Sequence, residues 1–220
     1  MNKAIYTIGV LLLLNSSINA QQLSPAVQAV YDACISLRTA IGSGNTTALK
    51  AANKALKDCH VRPFTSLICL DEEPISLDGH FVFDDEFIDS LIAGRDVYRF
   101  AQRYAEVRNV RTVSSSNKIF IKTCAVKASS KSRYTFHANG TQELAVVAEP
   151  GRKGQNKEGK ITLRVHDKTN DIWHNDTMNV KTGKESRYMV FDLPDSPKCI
   201  IELEIINCGD KDISFVVISN

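Results

Sequence analysis

Apolar and polar residues change their spacing along this chain near Val110. Upstream, apolar positions recur every three or four residues, the period of a helix with one buried stripe. Downstream they alternate, the period of a strand with one buried face. Val27, Val30, Tyr31, Cys34, Leu37 and Ile41 form the first stripe, behind Ser24 as a helix cap and Pro25 at the first helical position. Gly42-Ser43-Gly44-Asn45 ends that helix, and Thr46 is placed to cap a second one with the stripe Leu49, Ala52, Leu56 and Cys59. The short connection predicts an antiparallel αα-hairpin. Residues 75–83 carry Asp78-Gly79 at their centre and predict a β-hairpin. Asp84 or Asp85 then caps one long helix reaching about Arg108, with Phe87, Leu91, Gly94, Tyr98, Ala101 and Ala105 on its inner face and Ile88 and Ile92 widening it. Acidic residues in its first turn and arginines near its end suit the helix dipole.

Beyond Val110 the alternation predicts about eight short strands, over 118–126, 133–137, 143–148, 160–166, 171–174, 187–193, 199–206 and 213–219. Ile161, Leu163 and Val165 point one way, and Thr162, Arg164 and His166 the other. Polar turns such as Ala138-Asn139-Gly140 and Gly209-Asp210 separate the runs. The fold class expected is therefore α+β: a mainly helical module over 21–109, then an antiparallel β-sandwich of jelly-roll type over 110–220.

The first 20 residues read differently. One cation, Lys3, precedes an apolar run over 4–14 that is too short to span a bilayer, and Ile18-Asn19-Ala20 ends a polar stretch on a small residue. This is the pattern of a cleaved export signal, with no cysteine at the cleavage point to take a lipid. No later run is long and apolar enough to cross a membrane, so a secreted or periplasmic location is expected. Removing Lys3 lowers the formal net charge from +2 to +1, a balance that gives no reason to expect a nucleic-acid partner. The cluster Lys122, Lys127, Lys131 and Arg133 reads as the solvated face of a strand pair.

Export makes the six cysteines, Cys34, Cys59, Cys69, Cys124, Cys199 and Cys208, candidates for disulfides. Cys199 and Cys208 bracket one strand and would lie about 30 Å apart, so they do not pair with each other. Cys34 with Cys59 needs a shorter first helix or a longer loop, because the level partner of Cys34 in a symmetric hairpin falls near Asn53. The other pairings stay open. No Cys-x-x-Cys or paired Cys/His spacing suggests zinc.

Tyr134-Thr135-Phe136 before Asn139-Gly140, Leu163-Arg164-Val165-His166-Asp167 before Thr169-Asn170-Asp171, and the closing pair 201–205 and 213–217 follow an ordered pattern. In that order the C-terminal half resembles the bacterial prepeptidase C-terminal family and its carbohydrate-binding relatives, over about 100 residues. The resemblance implies a non-catalytic accessory module. Lys160 and Thr162 stand where that family often carries an acidic residue, which speaks against a calcium-supported version.

The densest polar cluster runs from His166 to Asp176 and holds the sole tryptophan, Trp173. Trp173, His174, His166, Asp171 and Asp176 are the candidate ligand-binding residues, with Trp173 as a stacking platform. A metal site would use His166, His174 and an aspartate, but a hairpin turn needs the same residues for its geometry, and neither metal nor cofactor is expected. No Gly-x-Ser-x-Gly elbow occurs and no catalytic residue is assigned. The expected function is non-catalytic recognition of a glycan, protein or envelope component through the sandwich. The alternatives are a secreted hydrolase with a spatially assembled His/Asp/Ser site, and a structural or inhibitory protein docking through its helical module.

Overall fold

The computed structural model describes residues 22–106, 118–150, 161–174 and 185–220. The expected export signal and Asp176 lie outside them. Helices α1 (Pro25–Ser43) and α2 (Thr46–Asp58) form the antiparallel hairpin. Gly44, in the left-handed region at φ 67°, closes α1, with Gly44 N–H donating to Ile41 and Asn45 N–H to Ala40. Asn45 rather than Thr46 caps α2, its side-chain oxygen accepting the Ala48 N–H at 3.0 Å. Ser24 opens α1 without capping it. Its N–H and hydroxyl both donate to the Glu143 carboxylate, at 2.9 and 2.7 Å.

The single long helix expected after Asp84 is two shorter pieces. Asp84 caps α3 (Asp85–Ile92) as expected. Gly94, at φ 74°, then turns the chain, and a short 3₁₀ turn over Tyr98–Phe100 leads into α4 (Ala101–Glu106). The break lets Tyr98 and Tyr104 both pack edge-on against Phe87, with ring centroids 5.5 and 5.4 Å away. In a continuous helix Phe87 and Tyr98 would be about 16 Å apart along the axis. Likewise the Asp78-Gly79 turn forms, with Gly79 at φ 83°, but its arms do not pair. Phe81 N–H donates to Glu149, Phe83 N–H to the Thr123 hydroxyl and Gly79 N–H to Tyr98. Leu77, Phe81, Val82 and Phe83 are all buried, so this segment lies against sheet A instead of forming a two-faced ribbon.

Among the described residues ten strands make two sheets. They are β1 (Arg62–Pro63), β2 (Ile68–Cys69), β3 (Phe120–Val126), β4 (Lys131–Ala138), β5 (Thr141–Ala148), β6 (Ile161–Asp167), β7 (Ile172–Trp173), β8 (Ser186–Asp192), β9 (Cys199–Asn207) and β10 (Ile213–Ser219). Sheet A has the order β1-β3-β10-β5-β8 and sheet B the order β2-β4-β9-β6-β7. From β3 onward, successive strands run through the two sheets in jelly-roll order. All pairings are antiparallel except β1 with β3. Strands β1 and β2 come from the connector after the helical hairpin, where the hydrophobic pattern predicts none.

The molecule is layered helices, sheet A, sheet B. Val216 and Ile218 of β10 face Val27, Val30, Leu37 and the other α1 residues in one core, while Phe215 and Val217 face Leu203 and Ile205 of sheet B in a second. Strand β10 is therefore buried along its whole length. Each large side chain buried this way contributes about 1.5–3 kcal/mol. The apolar stripe of α1, which an inhibitory protein could have used for docking, is spent on sheet A.

The six cysteines are free thiols, which corrects the disulfides expected above. Most face partners other than cysteine: Cys59 donates to Ala55, Cys69 to Asp71, Cys124 bonds the Tyr134 hydroxyl, and Cys199 accepts from Asn170. Burial pushes the Cys34 thiol far up and the Cys124 thiol up to about 12, so neither ionises readily.

Candidate functional site

With the helices on sheet A, the outer face of sheet B is the exposed face of the sandwich. Its register follows from strand alternation. Residues opposite one another across the sheet run Trp173 (β7), His166 (β6), Glu202 (β9), Thr135 (β4) and Ile68 (β2). The next row places Arg164, Glu204 and Arg133 side by side. Glu204 is buried there by its neighbours, with Lys131 Nζ at 2.7 Å and Arg164 Nη1 at 3.5 Å. Ile68, Trp173 and Ile200 stand out on or beside this face, 58, 47 and 44% exposed.

The β6–β7 turn presents Trp173. Asp167, buried at the end of β6, accepts from the Thr169 and Asn170 N–H groups and from the Asn170 side chain. Burial alone would raise its pKa, but these hydrogen bonds outweigh it and hold the carboxyl below its ordinary value. The turn also docks on β9: Lys168 N–H donates to Ile200 O, and Ile200 N–H to the Thr169 hydroxyl, both at 2.8 Å. Asp171 sits in the left-handed region at φ 56°, which aspartate tolerates better than most residues. Its carboxylate meets His166 Nε2 at 2.9 Å, and the His166 ring stacks on Trp173 with centroids 4.3 Å apart and planes 6° from parallel. Lys168 Nζ lies 3.7 Å from Glu202.

Trp173, His166 and Asp171 therefore come together. His174 does not join them. Alternation turns it inward, where its ring stacks on Phe191 at 4.5 Å and its N–H donates to Val165. Burial, its largest influence, holds the His174 pKa below the ordinary imidazole value. His166 and His174 thus point to opposite sides of the sheet, and no group of three or more His, Cys, Asp or Glu placed to hold a metal is found among the described residues. The expected basic cluster is divided. Lys131 and Arg133 lie on the outer face of sheet B, whereas Lys122, on sheet A, donates to Leu67 O.

Among the described residues two imidazole–carboxylate hydrogen bonds stand out, and neither presents a serine to its imidazole. Asp171 holds His166. The other pair, His80 and Glu149, has Ser214 bonded to the carboxylate and to Phe81 O. A nucleophilic triad needs the hydroxyl on the imidazole. Glu202, Lys168, Ile200 and Ile68 are parts of the face that the sequence reading did not single out. Alternation marks Glu202 and Ile200 as outward-facing, but only the strand order puts them on one face with Trp173, while Ile68 lies at its opposite edge.

No protein-family model matches the chain, and no curated protein matches it. Among solved structures it is similar to a periplasmic inhibitor of g-type lysozyme from Salmonella Typhimurium, at 13% identity over 46% of this chain and 89% of that one, with a TM-score of 0.29. A 4-O-methyl-α-glucuronidase with specificity for decorated arabinogalactans matches at 12% identity over 45% of this chain and 14% of its own, TM-score 0.26. Oxalate oxidase bound to glycolate matches at 14% identity over 73% and 76%, TM-score 0.17. Scores at this level establish neither a shared fold nor a shared function. No helix among the described residues is long and apolar enough to cross a membrane.

Proposed function

We propose that this chain is an exported, non-catalytic binding protein that recognises its ligand through the outer face of sheet B, with Trp173 at the edge of that face. The observation that carries this reading is the exposed indole, backed by His166 of β6 beside a turn docked to β9. Large apolar side chains grouped on one exposed face mark interaction surfaces. A rigid aromatic held ready also lowers the entropy cost of binding. The export signal expected over residues 1–20 supports a partner outside the cytoplasm.

The test compares material retained from envelope and secreted fractions by the wild type, by a Trp173→Ala/Ile200→Glu variant and by Lys54→Ala on the exposed flank of α2. The face variant is expected to lose ligand that the wild type and the α2 variant both keep. Equal retention by all three would refute the proposal.

A further inference from the structure

We infer that the open edge of β3 holds a second binding site, for a small molecule that joins an apolar body to a carboxylate. It is separate from the face just described. Strand β1 covers that edge only as far as Pro63, and Phe64 N–H makes the last bond, to Ile121 O. The course of the β3 backbone beyond this point follows from its neighbours. Glu149 N–H donates to Ser214 O, so Ser214, Val216 and Ile218 turn their backbone groups to β5, and Phe215 and Val217 turn theirs to β3. Phe215 lies opposite Cys124 and Val217 opposite Lys122. Thr123 and Ala125 therefore turn their N–H groups away from β10, to the open edge.

The chain that leaves β2 at Cys69 for the outer layer at Leu77 crosses this edge. It leaves a cavity of about 390 Å³, walled by Ile75, Leu77, Cys124, Ala125 and Tyr134. A second cavity, of about 300 Å³, lies between Phe64, Val82, Phe83 and Tyr104, and Lys122 and Thr123 line both. Spaces of this size, apolar with a few placed polar groups, suit small molecules. The polar groups select the class. Lys122 is half-buried, its Nζ donates to Leu67 O at 2.7 Å, and no carboxylate among the described residues pairs with it. An ammonium drawn partly out of water without a counter-charge favours an anionic guest. The Thr123 and Ala125 N–H groups add two donors on the same side. Burial pushes the Cys124 thiol up to about 12 and raises the Tyr134 hydroxyl as well, so both stay neutral. Asp84 turns its carboxylate to the Glu86 and Phe87 N–H groups, and Asp71 turns its own to the Cys69 thiol and Arg133 N–H. A bound carboxylate would accept from the ammonium and an amide together, with its apolar body along Ile75 and Leu77.

The test titrates the purified, isotope-labelled chain with hexanoate and phenylacetate and, alongside, with hexanamide, phenylacetamide and phenethylamine. The acids are expected to shift the Thr123 and Ala125 amide resonances saturably. The amides and the amine are expected to bind about tenfold more weakly or not at all. Lys122→Met, which keeps the apolar stem, should erase the advantage of acid over amide, and Lys122→Arg should keep it. If Lys122→Met does not fold, Ile75→Trp at the half-buried rim takes its place and is expected to block both acids. The Trp173→Ala/Ile200→Glu variant should bind the acids as the wild type does. Acids that bind no better than their amides, no saturable shift at Thr123 and Ala125, or an acid preference that survives Lys122→Met would each overturn the inference. Loss of acid binding in the sheet B face variant would overturn it too.

Discussion

His166 and Trp173, opposite one another on β6 and β7, stack nearly parallel at 4.3 Å, and Asp171 fixes the imidazole from its ring edge. Each member of this trio limits the freedom of the next: the carboxylate orients the imidazole, and the imidazole orients the indole. Replacing His166 with alanine should therefore release Trp173 into water. The expected result is a red shift of the single-tryptophan emission with a stability loss of about 0.5–1.5 kcal/mol, read from the urea midpoint. Unchanged emission would mean that the imidazole does not support the indole.

Glu143 ties the first helix to the sandwich. Its buried carboxylate takes both donors of Ser24, across 119 residues of chain, while its own N–H is held by Asn220. Glu143→Ala removes the acceptor and leaves two donors at the start of α1 without their partner. A loss of about 1.5–3 kcal/mol is expected, with faster amide exchange in the first turn of α1 than in α2. Exchange that accelerates equally in both helices would show a global effect instead.

Much of the fold was legible because its signals are local. Strands such as β4 follow the alternation of their own residues, β5 and β10 carry near-continuous apolar runs, and all eight expected strands are present, with bounds shifted by a few residues. What failed depended on distant partners. The helix after Asp84 turns at Gly94, and the packing of Tyr98 and Tyr104 on Phe87 that the break allows is encoded in no helical period. The arms around Gly79 stay unpaired because Glu149 and Thr123, far along the chain, take their donors. The site divides in the same way. Trp173, His166 and Asp171 are close in sequence and could be grouped by eye. Glu202 and Ile200 reach them only through the β6–β9 pairing.

Gly94 isolates the conformational cause of the helix break. Its φ is 74°, and a methyl group added there would meet nothing within 4 Å. Gly94→Ala therefore carries strain without a clash, about 1–2 kcal/mol. The expected outcome is a loss of that size in chemical denaturation with the helical circular dichroism unchanged. A gain in helical signal would show that the glycine alone prevents α3 from continuing.

The thiols can be ordered by access. Cys208 is exposed, Cys59 and Cys69 are half-buried, and Cys34, Cys124 and Cys199 are buried. Burial raises the pKa of Cys34 and Cys124 as well, so these lack both contact with reagent and thiolate. A thiol-specific chromogen should modify Cys208 first in the native chain and should reach Cys34 and Cys124 only on unfolding. Six thiols should then titrate in denaturant without added reductant. A smaller number would show that some cysteines are paired.

Acid should destabilise the protein in two stages, because two groups with lowered pKa values lie back to back at the β6–β7 hairpin. An unfolded chain protonates His174 near its ordinary value of 6.5, while the folded chain does so only at lower pH because burial disfavours the imidazolium. Between those values the unfolded state holds more protons, so stability falls as pH falls. The same sign applies to Asp167. Its hydrogen-bonded carboxylate contributes stability that is complete above the ordinary 3.8 and is lost as pH drops through the lower folded value. Urea midpoints measured from neutral pH down to about pH 3 should therefore decline first below pH 6.5 and again below 3.8. His174→Gln should flatten the first decline. Asp167→Asn should flatten the second and lower stability at neutral pH, since its amide group would face the Asn170 amide that now donates to a carboxylate. A midpoint that stays level between neutral pH and pH 4 in the wild type would show that His174 is not held neutral by burial.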